Sequence, residues 1–196
     1  MLSISGGCYL GRKLSGFGAS EAEMPGFRPT TARVREAMFS ILGPAVKYAR
    51  VLDLYAGCGL LGFEALSRGA STALAVESAP VAQKLLKKNA STLGLESSQW
   101  QLLPARVEAL LTRSPESVVQ SGEIQPFNLV FMDPPYALAL TPEFLSALFC
   151  SPWVSRQATI VIEQDSKTPC FLPGAEVRAY GTSALWINHA NPYYVD

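Results

Sequence analysis

Residues 51–62 read VLDLYAGCGLLG. An apolar run stops at an aspartate and a tyrosine, and Gly57, Gly59 and Gly62 then follow in the spacing G-x-G-x-x-G. Strand, tight loop and helix are expected in that order, because glycine alone lets the backbone turn sharply and come close to a ligand. Outward from this loop the chain alternates regularly. Residues 51–56 form a strand and 61–68 a helix, then 72–77 a strand and 81–93 a helix closed by Gly94. Residues 99–104 are a third strand, with a third helix starting at 107–111, and 127–132 and 142–149 are the next strand and helix. Strand 158–163 and two closing strands, 177–180 and 184–188 joined through Gly181, complete the series. Such alternation predicts right-handed crossovers and a mostly parallel sheet with helices on both faces, an α/β three-layer sandwich. Ahead of it, 4–14 reads as a small strand–turn–strand, and 31–42 as a helix capped by Thr31 and stopped at Gly43-Pro44. Residues 112–126 are the one long connection without a clear pattern.

In open α/β sheets, ligands sit beyond the carboxyl ends of the strands, where the strand order reverses. Glu77 ends the second strand, 20 residues after Gly57, where a carboxylate can accept both hydroxyls of a ribose. Asp53 chooses between cofactors. A dinucleotide needs a loop that receives a pyrophosphate, which a nearby carboxylate repels. S-adenosylmethionine carries a sulfonium and an ammonium and no phosphate, so Asp53 favours it over NAD.

A second segment meets the first. Residues 127–137 read FNLVFMDPPYA, a strand that ends in an acid, two prolines and a ring. Two prolines make a stiff corner that neither a ladder nor a helix can continue. The exocyclic amine of a nucleobase is a poor nucleophile, because its lone pair is delocalised into the ring. Asp133 and the Pro134 carbonyl can accept its two N–H groups and so free the lone pair, with Pro135 fixing the bend. Tyr136 can stack on the base.

Composition sets the class. At 196 residues and 48% apolar content the chain can bury one substantial core. No apolar run reaches the roughly 20 residues a membrane helix needs, and no signal peptide is evident. The four cysteines lack paired metal-type spacing, so a cytoplasmic protein without a metal is expected. Net charge is zero, yet residues 1–50 carry +4 and the remainder −4, with Arg28, Arg33 and Arg35 clustered. A local basic patch acts over about 10 Å at 0.1 M salt, which leaves a nucleic-acid partner open. His189, the single histidine, has no serine elbow to serve. Trp100, Trp153 and Trp186 read as core residues, and Lys84, Lys87 and Lys88 as a solvated helix face.

Together, DLYAGCG at 53–59 and DPPY at 133–136 resemble the class I S-adenosylmethionine-dependent methyltransferases that modify amines. The stretches at 4–14, 26–42, 64–70 and 178–187 narrow the likeness to the RsmD family, whose members methylate N2 of a guanine in 16S ribosomal RNA. The resemblance implies a Rossmann-like seven-stranded sheet with an antiparallel last strand and a small N-terminal β-hairpin. It divides the chain into an RNA-contacting extension, 1–29, and a catalytic domain, 30–196. It implies cofactor contacts from Thr30, Asp53, Tyr55, Ala56, Gly57, Gly59 and Glu77, and a catalytic corner of Asp133, Pro134, Pro135 and Tyr136. RNA contacts follow from Arg12, Lys13, Arg28 and Arg33, and the partner would be 16S RNA within the assembling small subunit, met by a monomer. The chain departs from the pattern at Cys58, Leu60 and Ala105, the last standing where many relatives carry a partner for the adenine amine. Rival readings are an adenine-N6 methyltransferase, an NAD-linked oxidoreductase and a non-catalytic RNA-binding assembly factor.

Overall fold

The computed structural model describes residues 2–17, 30–115, 125–135, 138 and 140–193. A short antiparallel pair, β1 (Leu2–Ser3) and β2 (Lys13–Leu14), precedes helix α1 (Ala32–Leu42). The alternating region follows as β3 (Arg50–Leu54), α2 (Leu60–Ser67), β4 (Thr72–Val76), α3 (Pro80–Leu93), β5 (Trp100–Leu103), β6 (Phe127–Met132) and α4 (Pro142–Phe149). Strands β7 (Val154–Asp165), β8 (Glu176–Tyr180) and β9 (Ser183–Asn188) close the chain.

Seven strands form one sheet in the order β5-β4-β3-β6-β7-β9-β8. The first five in that order are parallel; β9 runs antiparallel to both its neighbours, as expected for the last strand. The chain leaves β3 towards β4 and β5, then returns to β6 on the other side. The order therefore reverses between β3 and β6, where the glycine loop and the proline corner both end.

Alternation along the strands builds two cores. Val51, Ala73, Leu129, Phe131 and Val161 face α1, α2 and α3. Leu52, Leu54, Leu74, Val130, Met132 and Ile162 face α4 and the turn at Val107–Leu111. Both faces are covered, which gives the three layers. Local signals fix the helix ends as read: the Thr31 hydroxyl accepts from Val34 N at 3.3 Å, and Gly94 closes α3 in a left-handed conformation.

Two expectations change. The third helix is a single 3₁₀ turn, Val107–Leu111. Trp153 Nε1 donates to the carbonyls of Leu110 (3.0 Å) and Arg113 (2.8 Å), which takes acceptors a continuing helix would need. Strand β7 begins at Val154 rather than 158, extended by the pairing of Val154 with Phe127.

The hairpin is docked by one buried acid. Glu64 of α2 is wholly buried, and Oε1 accepts from Ser5 Oγ (2.9 Å) and Arg68 Nε (2.8 Å). Its Oε2 accepts from Ser5 N (2.8 Å) and pairs with Arg35 Nε at 3.3 Å. Arg35, grouped in sequence with an exposed basic patch, is only 3% exposed and also donates to Ser3 O. Removing one member of such a cluster leaves buried charge without a counter-charge, at a cost of about 3–5 kcal/mol. Glu64→Ala should therefore lower the urea-unfolding free energy by about that amount. An effect below about 1 kcal/mol would mean that the cluster does not hold the hairpin.

Candidate active site

Four carboxylates lie at or near the carboxyl ends of four adjacent strands. Register pairs Leu54 with both Val76 and Met132, and Met132 with Ile162. The next residues, Glu77 beyond β4 and Asp133 beyond β6, are level with Glu163 on β7, and Asp53 lies two positions deeper on β3. Each stands one alternation beyond an apolar residue of the α1–α3 face (Ala75, Phe131, Val161 or Val51), so all four belong to that face.

Asp53 is 3% exposed and lies beneath the glycine loop. Its Oδ2 accepts from Gly62 N at 3.0 Å, using one of the unpaired donors of the first turn of α2. A Cβ on residue 62 would stand 2.8 Å from that oxygen, which is why glycine belongs there. Burial raises the Asp53 pKa to about 7; the Gly62 N–H opposes the rise and Glu77 adds to it. Glu77, 7% exposed, accepts from Gly57 N at 2.9 Å through Oε2 and from Ala79 N at 2.7 Å through Oε1. A carboxylate has about four lone-pair positions, so two remain for other donors. Glu77 is thus also a clamp on the loop, a role the sequence did not disclose.

The loop itself is strained. Tyr55 adopts φ +58, a left-handed conformation uncommon outside glycine, and its hydroxyl is buried without a partner among the described residues. Ala56 N donates to Val76 O at 3.2 Å, and Gly59 N to Ala56 O at 2.7 Å. Gly59 has φ +84, and a Cβ there would come within 2.6 Å of Leu86. Cys58 is buried, which accords with a packed side chain; its backbone carbonyl accepts from Asn89 Nδ2 at 2.9 Å. Asn89 also bonds Ser15, tying the hairpin to the loop.

Asp133 adjoins this loop. Its backbone N–H reaches Leu54 O at 3.4 Å, and its Oδ2 accepts from Thr30 Oγ1 at 3.2 Å. Burial pushes its pKa up, followed by the charge of Glu163; Thr30 pulls it down, and Asp53 adds a smaller rise. The Asp133 carboxylate is therefore within electrostatic reach of the carboxylate under the glycine cleft. Pro134 is buried, and Pro135 O accepts from Leu138 N at 2.8 Å. Tyr136, Arg28 and Pro29 lie outside the described residues.

Of the remaining expected residues, Arg12, Lys13 and Arg33 are exposed. His189 is exposed; Trp153 and Trp186 are fully buried, and Trp100 packs on Phe63 with ring centroids 5.7 Å apart. Glu163 was legible in sequence only as a strand end, and it is 4% exposed beside Asp133. The described residues contain no cluster of three His, Cys, Asp or Glu able to hold a metal.

The family model Conserved hypothetical protein 95 matches residues 2–186. The chain belongs to this family. Within reach of its members, Ribosomal RNA small subunit methyltransferase D of Escherichia coli is 37% identical over 164 residues, 84% of this chain and 75% of that protein. The solved structure of Escherichia coli yhhF superposes with a TM-score of 0.76 at 30% identity, covering 97% of this chain and 98% of its own. SMU.776, solved with SAH, shares the fold alone: TM-score 0.60 at 12% identity over 83% of this chain and 50% of its own. The resemblance read from the motifs and the class I methyltransferase architecture are borne out.

Two measurements probe the loop. Gly62→Ala should cost about 1–3 kcal/mol of stability, since the Cβ and the Asp53 carboxylate cannot share the space. An acid whose pKa is raised by folding favours the folded state fully only below its unfolded pKa, and that contribution is lost as pH rises through the folded value. For Asp53 the window runs from 3.8 to about 7. Asp53→Asn, which keeps an acceptor for Gly62 N, should gain stability relative to the parent between pH 4.5 and 7.5; a constant difference in melting temperature would refute the raised pKa.

Proposed function

We propose that the protein is an S-adenosylmethionine-dependent methyltransferase of small-subunit ribosomal RNA, acting on the N2 amine of a guanine. One observation carries the reading: Asp133, on the proline corner, shares a face and an electrostatic environment with Asp53 under the glycine loop. Donor and acceptor sites therefore adjoin. The name of the Escherichia coli relative, a ribosomal RNA small subunit methyltransferase, supports the same class of substrate.

The residues present suit this donor. Glu77 retains lone pairs for ribose hydroxyls while it holds Gly57 and Ala79. A cation beside Asp53 would bring its pKa down, and by the same linkage the ionised carboxylate would bind that cation more tightly than the protonated form does. A pyrophosphate would meet Asp53, Glu77 and Asp133 together, which argues against NAD. When bound, S-adenosylmethionine supplies a methyl group already activated by its sulfonium. Ala105 packs against the α4-side core, so the adenine would be held by ring faces and backbone rather than by a side-chain amide partner.

The protein's own share is alignment. Asp133 would accept one N–H of the amine and the Pro134 carbonyl the other, turning the lone pair towards the methyl group. Thr30 holds the Asp133 carboxylate in place through Oδ2. Tyr136 would clamp the base by stacking, and the exposed Arg12, Lys13 and Arg33 would meet phosphates, together with Arg28. The target base must leave its stack to reach the corner, which suits a loop of RNA.

The test uses purified protein, labelled S-adenosylmethionine and small-subunit particles from cells lacking the gene, followed by mapping of the labelled base. Label should appear on guanine N2. Asp133→Ala should lose at least about 100-fold in turnover, with cofactor affinity within a few-fold of the parent. Label on an adenine, or a variant that turns over normally, would sink the assignment.

A further inference from the structure

We propose that Glu163 reads the N1–H of the target guanine and so rejects purines that present a lone pair at that position. The proposal rests on the methyltransferase reading and names the residue that would set its base specificity.

Glu163 is level with Asp133 on the adjoining strand, faces the same way and is 4% exposed. Thr30 and Ser183 lie against its carboxylate, yet Oε2 has no hydrogen-bond partner among the described residues. The contrast with Glu64 is informative. That acid is equally buried, but both its oxygens are bonded, as a structural role demands. A buried carboxylate oxygen left without a donor is costly to the fold and gains much when a donor arrives.

Guanine supplies donors in the required arrangement. Its Watson–Crick edge carries N1–H directly beside the C2 amine, so a base whose amine meets Asp133 turns a second N–H towards a neighbouring acceptor. Adenine offers an amine at C6 but an acceptor at N1. That acceptor would oppose the lone pairs of the ionised carboxylate and could be met only by a protonated Glu163, so the discrimination belongs to the ionised form and is measured above the raised pKa of Glu163. Burial pushes the pKa of both Glu163 and Asp133 up, and the single hydroxyl proton of Thr30, donated to Asp133 Oδ2, restrains that acid. Two N–H donors on one base edge would stabilise both carboxylates in their ionised, accepting form.

The discriminating substrate is 2,6-diaminopurine, which keeps the C2 amine and has an acceptor at N1. Small-subunit particles would be reconstituted with guanine or 2,6-diaminopurine at the mapped target, and methyl transfer measured with the parent protein and Glu163→Gln. A carboxamide can donate to N1 as readily as it accepts from N1–H. The parent should prefer guanine by about 100-fold. Glu163→Gln should reduce that preference to about tenfold or less, with S-adenosylmethionine affinity unchanged. If Glu163→Gln fails to fold, Glu163→Asp takes its place: withdrawing the carboxylate by one methylene should slow guanine and leave 2,6-diaminopurine unaffected. A preference that persists in the variant, including one in which both substrates slow equally, overturns the proposal and leaves Glu163 structural. Failure of the parent to methylate guanine particles at all would instead defeat the methyltransferase reading.

Discussion

Burying like charges side by side is expensive, and four carboxylates at the ends of adjacent parallel strands are the constraint around which this molecule is arranged. Parallel register leaves no choice of neighbour: once β3, β4, β6 and β7 pair as they do, Asp53, Glu77, Asp133 and Glu163 converge on one face. The cost is offset by donors brought from elsewhere in the chain. Gly57 N and Ala79 N bond Glu77, Gly62 N bonds Asp53, and Thr30 bonds Asp133. The glycine loop is therefore a consequence of the acids as much as a cradle for a ligand. Residue 62 must lack a Cβ because a carboxylate oxygen occupies that space, and the backbone at Tyr55 is forced to positive φ to enter the loop.

The molecule handles buried acid in two ways. Glu64 is enclosed by Arg35, Arg68 and Ser5, and it fastens the N-terminal hairpin to α1 and α2. That acid is neutralised within the protein and needs no further donor. The strand-end acids are held by hydrogen bonds, with no cation paired to them among the described residues, and burial drives Asp53, Asp133 and Glu163 towards their protonated forms. A site poised in this way responds to positive charge and to N–H donors. Those are the groups that a sulfonium cofactor and an amine-bearing base would offer, and a phosphate would not.

The position of the two motifs on the sheet matters more than either motif. A glycine loop after a strand is common to many nucleotide-binding proteins, and Asp-Pro-Pro is an ordinary way to turn a corner. Their strands are neighbours at the point of reversal, with Asp133 N directed to Leu54 O. The loop and the corner meet there, which is what the proposed function rests on. The hairpin joins the same unit through Asn89, which bonds both Ser15 and the carbonyl of Cys58 in the glycine loop.

Periodicity and punctuation were enough to draw the elements. Thr31 caps a helix, Gly94 ends one, and alternating apolar runs mark the strands, because each of these effects acts within a turn or two of chain. The sheet architecture and the placing of the Asp133 corner beside the Asp53 strand followed from the order of those elements. What could not be read along the chain was long-range partnership. Whether Arg35 was a surface cation or the partner of Glu64, whether 107–111 would extend or yield its carbonyls to Trp153, and whether the charge of Glu163 would bear on Asp133 were all settled by residues about 30 to 40 positions away. A buried charge declares itself only through what lies opposite it, and only the folded sheet decides that.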